Sequence, residues 1–197
     1  KRINVRVVLD QIAYYIPAGH RLRLAMSTSY WPFIWPSPDL AKIRVFFGSI
    51  QFPKSDSDIE ETKSTFDAPV AGDPWNCKIK RPASSTRSEF TESKSNTRII
   101  EVKNDSGCVI DGDHGLETDS AVTEKWSIKE FEPLSAAVEI DWFQSLRRKN
   151  WCVTTRSTLS VTCNRNSYFI KGSVIAFESE KEVFSKYFDE AIDRKYV

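Results

Sequence analysis

Apolar and polar residues alternate with a period of two along much of this chain. Ile3, Val5 and Val7 alternate with Asn4 and Arg6 before the pattern relaxes at Val8; Leu22, Leu24 and Met26 alternate with Arg21 and Arg23. Further on, Leu134, Ala136, Val138, Ile140 and Trp142 share one parity, as do Trp151, Val153, Thr155, Ser157, Leu159 and Val161, and then Tyr168, Ile170, Val174 and Ala176. A period of two sends successive side chains to opposite faces, so each run predicts a half-buried antiparallel strand, rich in the β-branched and aromatic residues that strands use. Turn residues separate the runs at Pro17–Gly19, Asp105–Gly107, Asp111–Gly115, Arg147–Asn150 and Asn164–Asn166. Many strands at short spacing with almost no helical pattern predict an all-β fold, a β-sandwich or jelly roll.

Two regions depart from that pattern. Residues 53–97 are rich in Ser, Thr, Asp, Glu, Lys and Pro, and predict a long irregular surface excursion with a short strand around Trp75–Lys80. In the segment 181–193, Val183, Phe184, Tyr187, Phe188, Ala191 and Ile192 fall at helical spacing, so periodicity alone predicts a helix there. The first residues raise a different point. The run from Ile3 starts in mid-strand, with no turn and no initiator methionine before it. The expectation is a sequence that starts partway through its domain and leaves an unpaired strand edge, which favours pairing between chains.

Composition narrows the function classes. The 197 residues suit one domain. With 28% charged residues and a net charge of +1, the chain carries no clustered positive field of the kind nucleic acid or an anionic membrane selects. No apolar run is long enough to span a bilayer, and the first residues lack the apolar core and small-residue cleavage site of a signal peptide. Cys77, Cys108, Cys152 and Cys163 form neither a CxxC pair nor a Cys/His cluster, which argues against a structural zinc. Reduced thiols are expected, and with them a reducing, cytoplasmic location.

The candidate chemistry is thin. No G-x-S-x-G elbow is present, and Ser27 and Ser29 lie at the end of a predicted strand with no glycine to permit one. His20 follows a turn and reads as a hydrogen-bonding residue rather than a general base. The run from Asp111 to Asp119 offers four carboxylates, but Gly115 occupies a ligand position of the calcium-loop pattern, and His114 reads as solvated. Glu139 and Asp141 alternate with apolar residues, the mark of a wet strand face rather than of a glycosidase pair. With 7 glycines in all, no phosphate-cradling loop is present. The residue-level expectation is therefore no catalytic residue, no cofactor and no metal.

Trp31 and Trp35 remain, boxed in by Pro32, Pro36 and Pro38. The prolines remove backbone donors, so the segment cannot run on as a central strand and becomes a rigid connection carrying large aromatics. Three roles are open to the rings: plugging one end of the core, docking another domain, or stacking on a sugar. Trp31 and Trp35 are the candidate docking residues.

The stretch "IPAGHRLRLAMSTSYWPFIWPSPD", followed by "GLETDSAVTEKWSIKEFEPLSAAVEIDW" and "WCVTTRSTLSVTCNRNSYFIKGSVIAFESEKEVFSKYF", resembles the C-terminal, non-catalytic domain of the CocE/NonD hydrolases. That family of predicted acyl esterases and related hydrolases includes cocaine esterase, X-prolyl dipeptidyl aminopeptidase and glutaryl-cephalosporin acylase. The resemblance covers nearly the whole chain, with 53–75 poorly matched. It implies an antiparallel jelly roll like the galactose-binding β-sandwiches, with residues 1–197 forming a single β-domain. It also implies a last strand where periodicity predicts a helix. The family's Ser–His–Asp triad belongs to an α/β-hydrolase domain, so no catalytic residue is carried over to this chain. The implied role is to pack on that catalytic domain of the same parent chain and help shape its substrate cleft. Relative to the family the first strands are missing, which implies a homodimer through an exposed strand edge. The alternative is a stand-alone carbohydrate- or ligand-binding β-sandwich module.

Overall fold

The alternating runs from residue 77 onward become strands because each has a neighbour to complete its hydrogen bonds. The computed structural model describes residues 2–53 and 66–195. Its strands are β1 (Cys77–Arg81), β2 (Ser84–Glu92), β3 (Thr97–Asp111), β4 (Glu117–Lys129), β5 (Glu132–Arg148), β6 (Trp151–Cys163), β7 (Ser167–Glu178) and β8 (Lys181–Asp193). All pairings are antiparallel, and the sheet runs β1-β3-β4-β5-β6-β7-β8, with β2 also pairing β3. From β3 onward this is a meander of successive hairpins, so β1 and β2 share the outer side of β3. The all-β antiparallel expectation holds, and an open sheet of this kind is consistent with a β-sandwich.

Register sorts the side chains. Trp126, Val138, Val161 and Ile170 lie opposite one another in turn across β4–β7, and Ile140 and Leu159 face each other in the next row. Ile100 joins this apolar face from β3, and Phe184 and Phe188 from β8. The opposite face carries a charged row: Glu101, Lys125, Glu139, Ser160, Lys171 and Asp189 stand side by side. Lys125–Glu139 closes to 3.9 Å and Lys171–Asp189 to 3.3 Å. Glu139 and Asp141 are therefore wet-face residues, as their alternation predicts. Burial concentrates in the middle of the sheet, at Ala136, Ile100 and Val138, exposed by 1%, 3% and 4%.

Several expectations need correcting. The runs at Ile3–Val7 and Leu22–Met26 form no strand, and their apolar side chains are exposed. Alternation defines two faces but not a partner, and a strand needs one for its backbone groups. Within 53–97, the short strand expected around Trp75–Lys80 is present as β1, but Ser84–Glu92 is also a strand rather than irregular chain. Its polar sequence hid it, since it satisfies its backbone on β3 while all its side chains stay exposed. Residues 54–65 of that excursion lie outside the described residues. Asp105–Gly107 is not a turn between strands but an irregularity inside β3, where the partner changes from β2 to β1. The segment 181–193 is strand β8, not helix, because pairing with β7 outweighs its helical spacing. Among the described residues no helix is long and apolar enough to cross a membrane.

Candidate docking site

Among the described residues before residue 54, the proline-rich loop is the one part with a local β-bridge, Tyr30 to Ile34. The Ile34 N–H donates to the Tyr30 carbonyl at 2.8 Å, closing a tight turn around Trp31 and Pro32. The turn throws its aromatics to two sides. Inward, the Trp31 ring meets Trp35 edge-on at 5.1 Å and Trp126 at 5.8 Å, and Trp35 meets Tyr168 at 5.6 Å. The Trp35 indole N–H donates to the Cys163 sulfur at 3.2 Å. Each edge-to-face pair contributes about 0.5–1.5 kcal/mol beyond the area it buries. Outward, Tyr30 and Phe33 stack on each other at 5.2 Å and stay exposed with Ile34.

Two arginines hold the loop against the sheet. Arg194, just past β8, donates to the Pro36 carbonyl at 2.7 Å and to the Asn164 carbonyl at 3.0 Å, with its guanidinium 4.8 Å over the Tyr168 ring. Arg165, in the β6–β7 turn, grips both oxygens of Asp39 at 2.8 and 3.1 Å. That hydrogen-bonded guanidinium holds the Asp39 carboxyl below its usual range. The pair is exposed, so it orients the loop more than it stabilises the fold. Pro36 is buried at this junction.

Trp31 and Trp35 are thus half-buried, and their rings are engaged with each other and with the sheet. The residues exposed at the tip of the loop are Tyr30, Phe33 and Ile34, which the sequence pattern does not single out. Their signal was in the motif itself: a turn that packs positions 31 and 35 inward must turn its tip out. Arg165 and Arg194 had no such signal, because their partners lie 126 and 158 positions away in the chain.

The catalytic-looking residues do not assemble. His20 closes the Pro17–Gly19 turn through its backbone N–H, and the Ser27 hydroxyl donates to the Ser29 carbonyl and accepts from the Ser29 N–H. Asp111 accepts from the backbone N–H groups of Asp113 and His114 and, at 2.9 Å, from the Trp75 indole. The Trp75 bond is the main cause of its lowered pKa, and the acidic turn is closed on itself. Among the described residues no group of three or more His, Cys, Asp or Glu could hold a metal ion.

A second polar cluster pins β1. Arg81 bridges Asp105 at 2.8 Å and Asp119 at 2.7 Å, and Glu117 takes Lys80 at 2.8 Å with Arg147 at 3.7 Å. Arg81 lowers the Asp105 pKa, as Lys80 does that of Glu117. The four cysteines are free thiols. Burial raises Cys108, whereas a hydrogen bond from Arg147 lowers Cys152. On the wet face, Glu139, Asp141, Thr158, Lys171, Ser173 and Tyr187 line a shallow groove of about 590 Å³.

Comparison with known proteins bears on the loop directly. Residues 1–65, which contain it, match the family model of the X-Pro dipeptidyl-peptidase C-terminal non-catalytic domain. That stretch, about a third of the chain, is similar to this domain family. The match ends short of β1, so the matched stretch is the part with the tryptophan loop, and the sheet lies outside it. The sequence resemblance had extended over nearly the whole chain. No curated protein and no solved structure matches the chain.

Proposed function

We propose that this chain is a non-catalytic accessory β-domain of an α/β-hydrolase-type serine hydrolase, an X-Pro dipeptidyl peptidase or a related acyl esterase. It docks on the catalytic domain of the same polypeptide through the loop Tyr30–Pro38 and helps shape the substrate cleft. The observation that carries this reading is the match of residues 1–65 to a domain described as non-catalytic, with the rigid aromatic loop inside the matched stretch. Trp31 and Trp35 anchor the loop from within, while Tyr30, Phe33 and Ile34 form the contact surface. An aromatic tip on a preorganised loop suits docking because little side-chain freedom is lost on contact.

The test has two parts. The 197-residue chain should hydrolyse neither p-nitrophenyl esters nor X-Pro nitroanilides; turnover abolished by Ser27→Ala would overturn the non-catalytic reading. Against a separately produced catalytic domain of an X-Pro dipeptidyl peptidase, Phe33→Ser should weaken binding by about tenfold or more while the circular dichroism spectrum stays unchanged. Equal affinity of variant and wild type would overturn the docking surface.

A second reading, a carbohydrate- or ligand-binding module, draws on the wet-face groove, where hydroxyls and carboxylates surround Tyr187. A glycan-array signal lost on Tyr187→Ala would favour it over the first.

A further inference from the structure

Strand β8 ends the sheet, and all 13 of its residues are exposed. Its inner side pairs with β7, and among the described residues no strand pairs with its outer side. Soluble proteins usually blunt such an edge with a proline, a short strand or an uncompensated charge. β8 contains neither proline nor glycine, and it is about twice the usual strand length. Its one irregularity is at Val183, where the register with β7 shifts, leaving Phe184–Ile192 regular.

The order of side chains along that regular part selects a partner. A second copy joining edge to edge about a two-fold axis normal to the sheet runs antiparallel and turns the same face to the same side. Residues that meet across the axis then share parity, and one residue sits on the axis opposite itself. An axis at Lys186, Asp189 or Glu190 sets like charges against each other. An axis at Ser185 or Tyr187 sets Lys186 against Phe184 or Phe188. With Phe188 on the axis the pattern closes. Phe188 meets Phe188, Lys186 meets Glu190 twice, and Phe184 meets Ile192 twice, all on the apolar face. Ser185 meets Ala191 and Tyr187 meets Asp189 on the other face.

We propose that the chain pairs with a second copy of itself through β8, in the two-fold antiparallel register centred on Phe188. The edge charges then select the register rather than block association. Lys186 lies over its own Phe188 ring at 4.8 Å, and among the described residues neither Lys186 nor Glu190 has an ion-pair partner in its own chain. The pairing also joins the apolar faces of two sheets into one surface. This inference differs from the edge expected at Ile3–Val8, where the structure has no strand.

The test is a charge swap read by sedimentation velocity on the whole chain. Lys186→Glu places four carboxylates at the two exchange points and Glu190→Lys four ammonium groups, so each single variant should raise the dimer dissociation constant by about tenfold or more. The double variant K186E/E190K restores both pairs and should return the constant to near the wild-type value, which also shows that the singles had not merely misfolded. In Phe188→Cys, mild oxidation should yield a dimer whose peptide map contains a disulfide between the two introduced thiols. Ser185→Cys, away from the axis, should not cross-link to itself. A wild-type chain that stays monomeric up to its solubility limit overturns the proposal. So does a dimer indifferent to either single variant, a double variant that fails to recover, or cross-linking at Ser185→Cys but not at Phe188→Cys. Peptidase docking can fail without affecting any of these outcomes.

Discussion

The two tryptophans of the proline-rich loop offer a matched experiment, because their rings share one cluster while their indole N–H groups do not share a fate. The Trp35 N–H reaches the Cys163 sulfur at 3.2 Å, whereas the Trp31 N–H is buried with no protein acceptor among the described residues. Replacing either ring by phenylalanine removes a similar slice of apolar area, on the order of 40 Å², or about 1 kcal/mol. The polar accounts then diverge. Trp31→Phe relieves an unpaired buried donor, which costs about 1–3 kcal/mol where it stands. Trp35→Phe instead loses a hydrogen bond contributing about 0.5–1 kcal/mol. The expected result is Trp31→Phe between neutral and about 2 kcal/mol stabilising, and Trp35→Phe about 1.5 kcal/mol destabilising. Urea unfolding followed by far-ultraviolet circular dichroism, which does not depend on tryptophan emission, measures both. The gap between them, about 1.5–3.5 kcal/mol, is on the order of 0.5–1 M in urea midpoint for a chain of this size. If Trp31→Phe destabilises as much as Trp35→Phe, the reasoning fails, because the Trp31 N–H must then have a partner.

Three further outcomes follow from the sheet. At Gly107, with φ of +79°, an added Cβ would lie 2.5 Å from the Arg81 carbonyl oxygen and 2.8 Å from the Ala83 nitrogen. Gly107→Ala should therefore cost ~3 kcal/mol in chemical denaturation, combining left-handed strain with a backbone clash; a loss under ~1 kcal/mol would refute this. Asp39, Asp105, Asp111 and Glu117 all have folded pKa values below their ordinary ones, so the stability they contribute is present above the ordinary values of 3.8 and 4.5 and drains away as pH falls through the folded values. The melting temperature should fall on acidification below that range, and Arg81→Gln should flatten part of the fall; an unchanged acid limb would count against the Arg81–Asp105 contribution. Cys152, whose thiolate Arg147 favours, should be alkylated by iodoacetamide well before buried Cys108, and Arg147→Ala should slow it. Peptide mass spectrometry after timed quenching reads the order.

The faces of β5, β6 and β7 were legible in the sequence because alternation states directly which side chains share a side. The wet-face reading of Glu139 and Asp141 came from the same rule. Strand β2 was not legible, since Ser84–Glu92 carries no apolar rhythm and exists through its ladder with β3. At the aromatic loop, the prolines disclosed a rigid turn, but not that Trp31 and Trp35 point inward while Tyr30 and Phe33 point out.

By itself, then, the sequence determined a strand-rich chain, a proline-locked aromatic loop, and the absence of any local nucleophile motif, because each depends on residues close together along the chain. Only the tertiary structure decided which alternating runs obtain a partner and which, like Ile3–Val7, do not. It also decided that 181–193 is strand rather than helix, and that Arg165 and Arg194 hold the loop from the far end of the chain. The physical reason is common to all three. A strand, an edge and a long-range arginine clamp are completed by groups distant in sequence, and local pattern carries no record of which distant group will arrive.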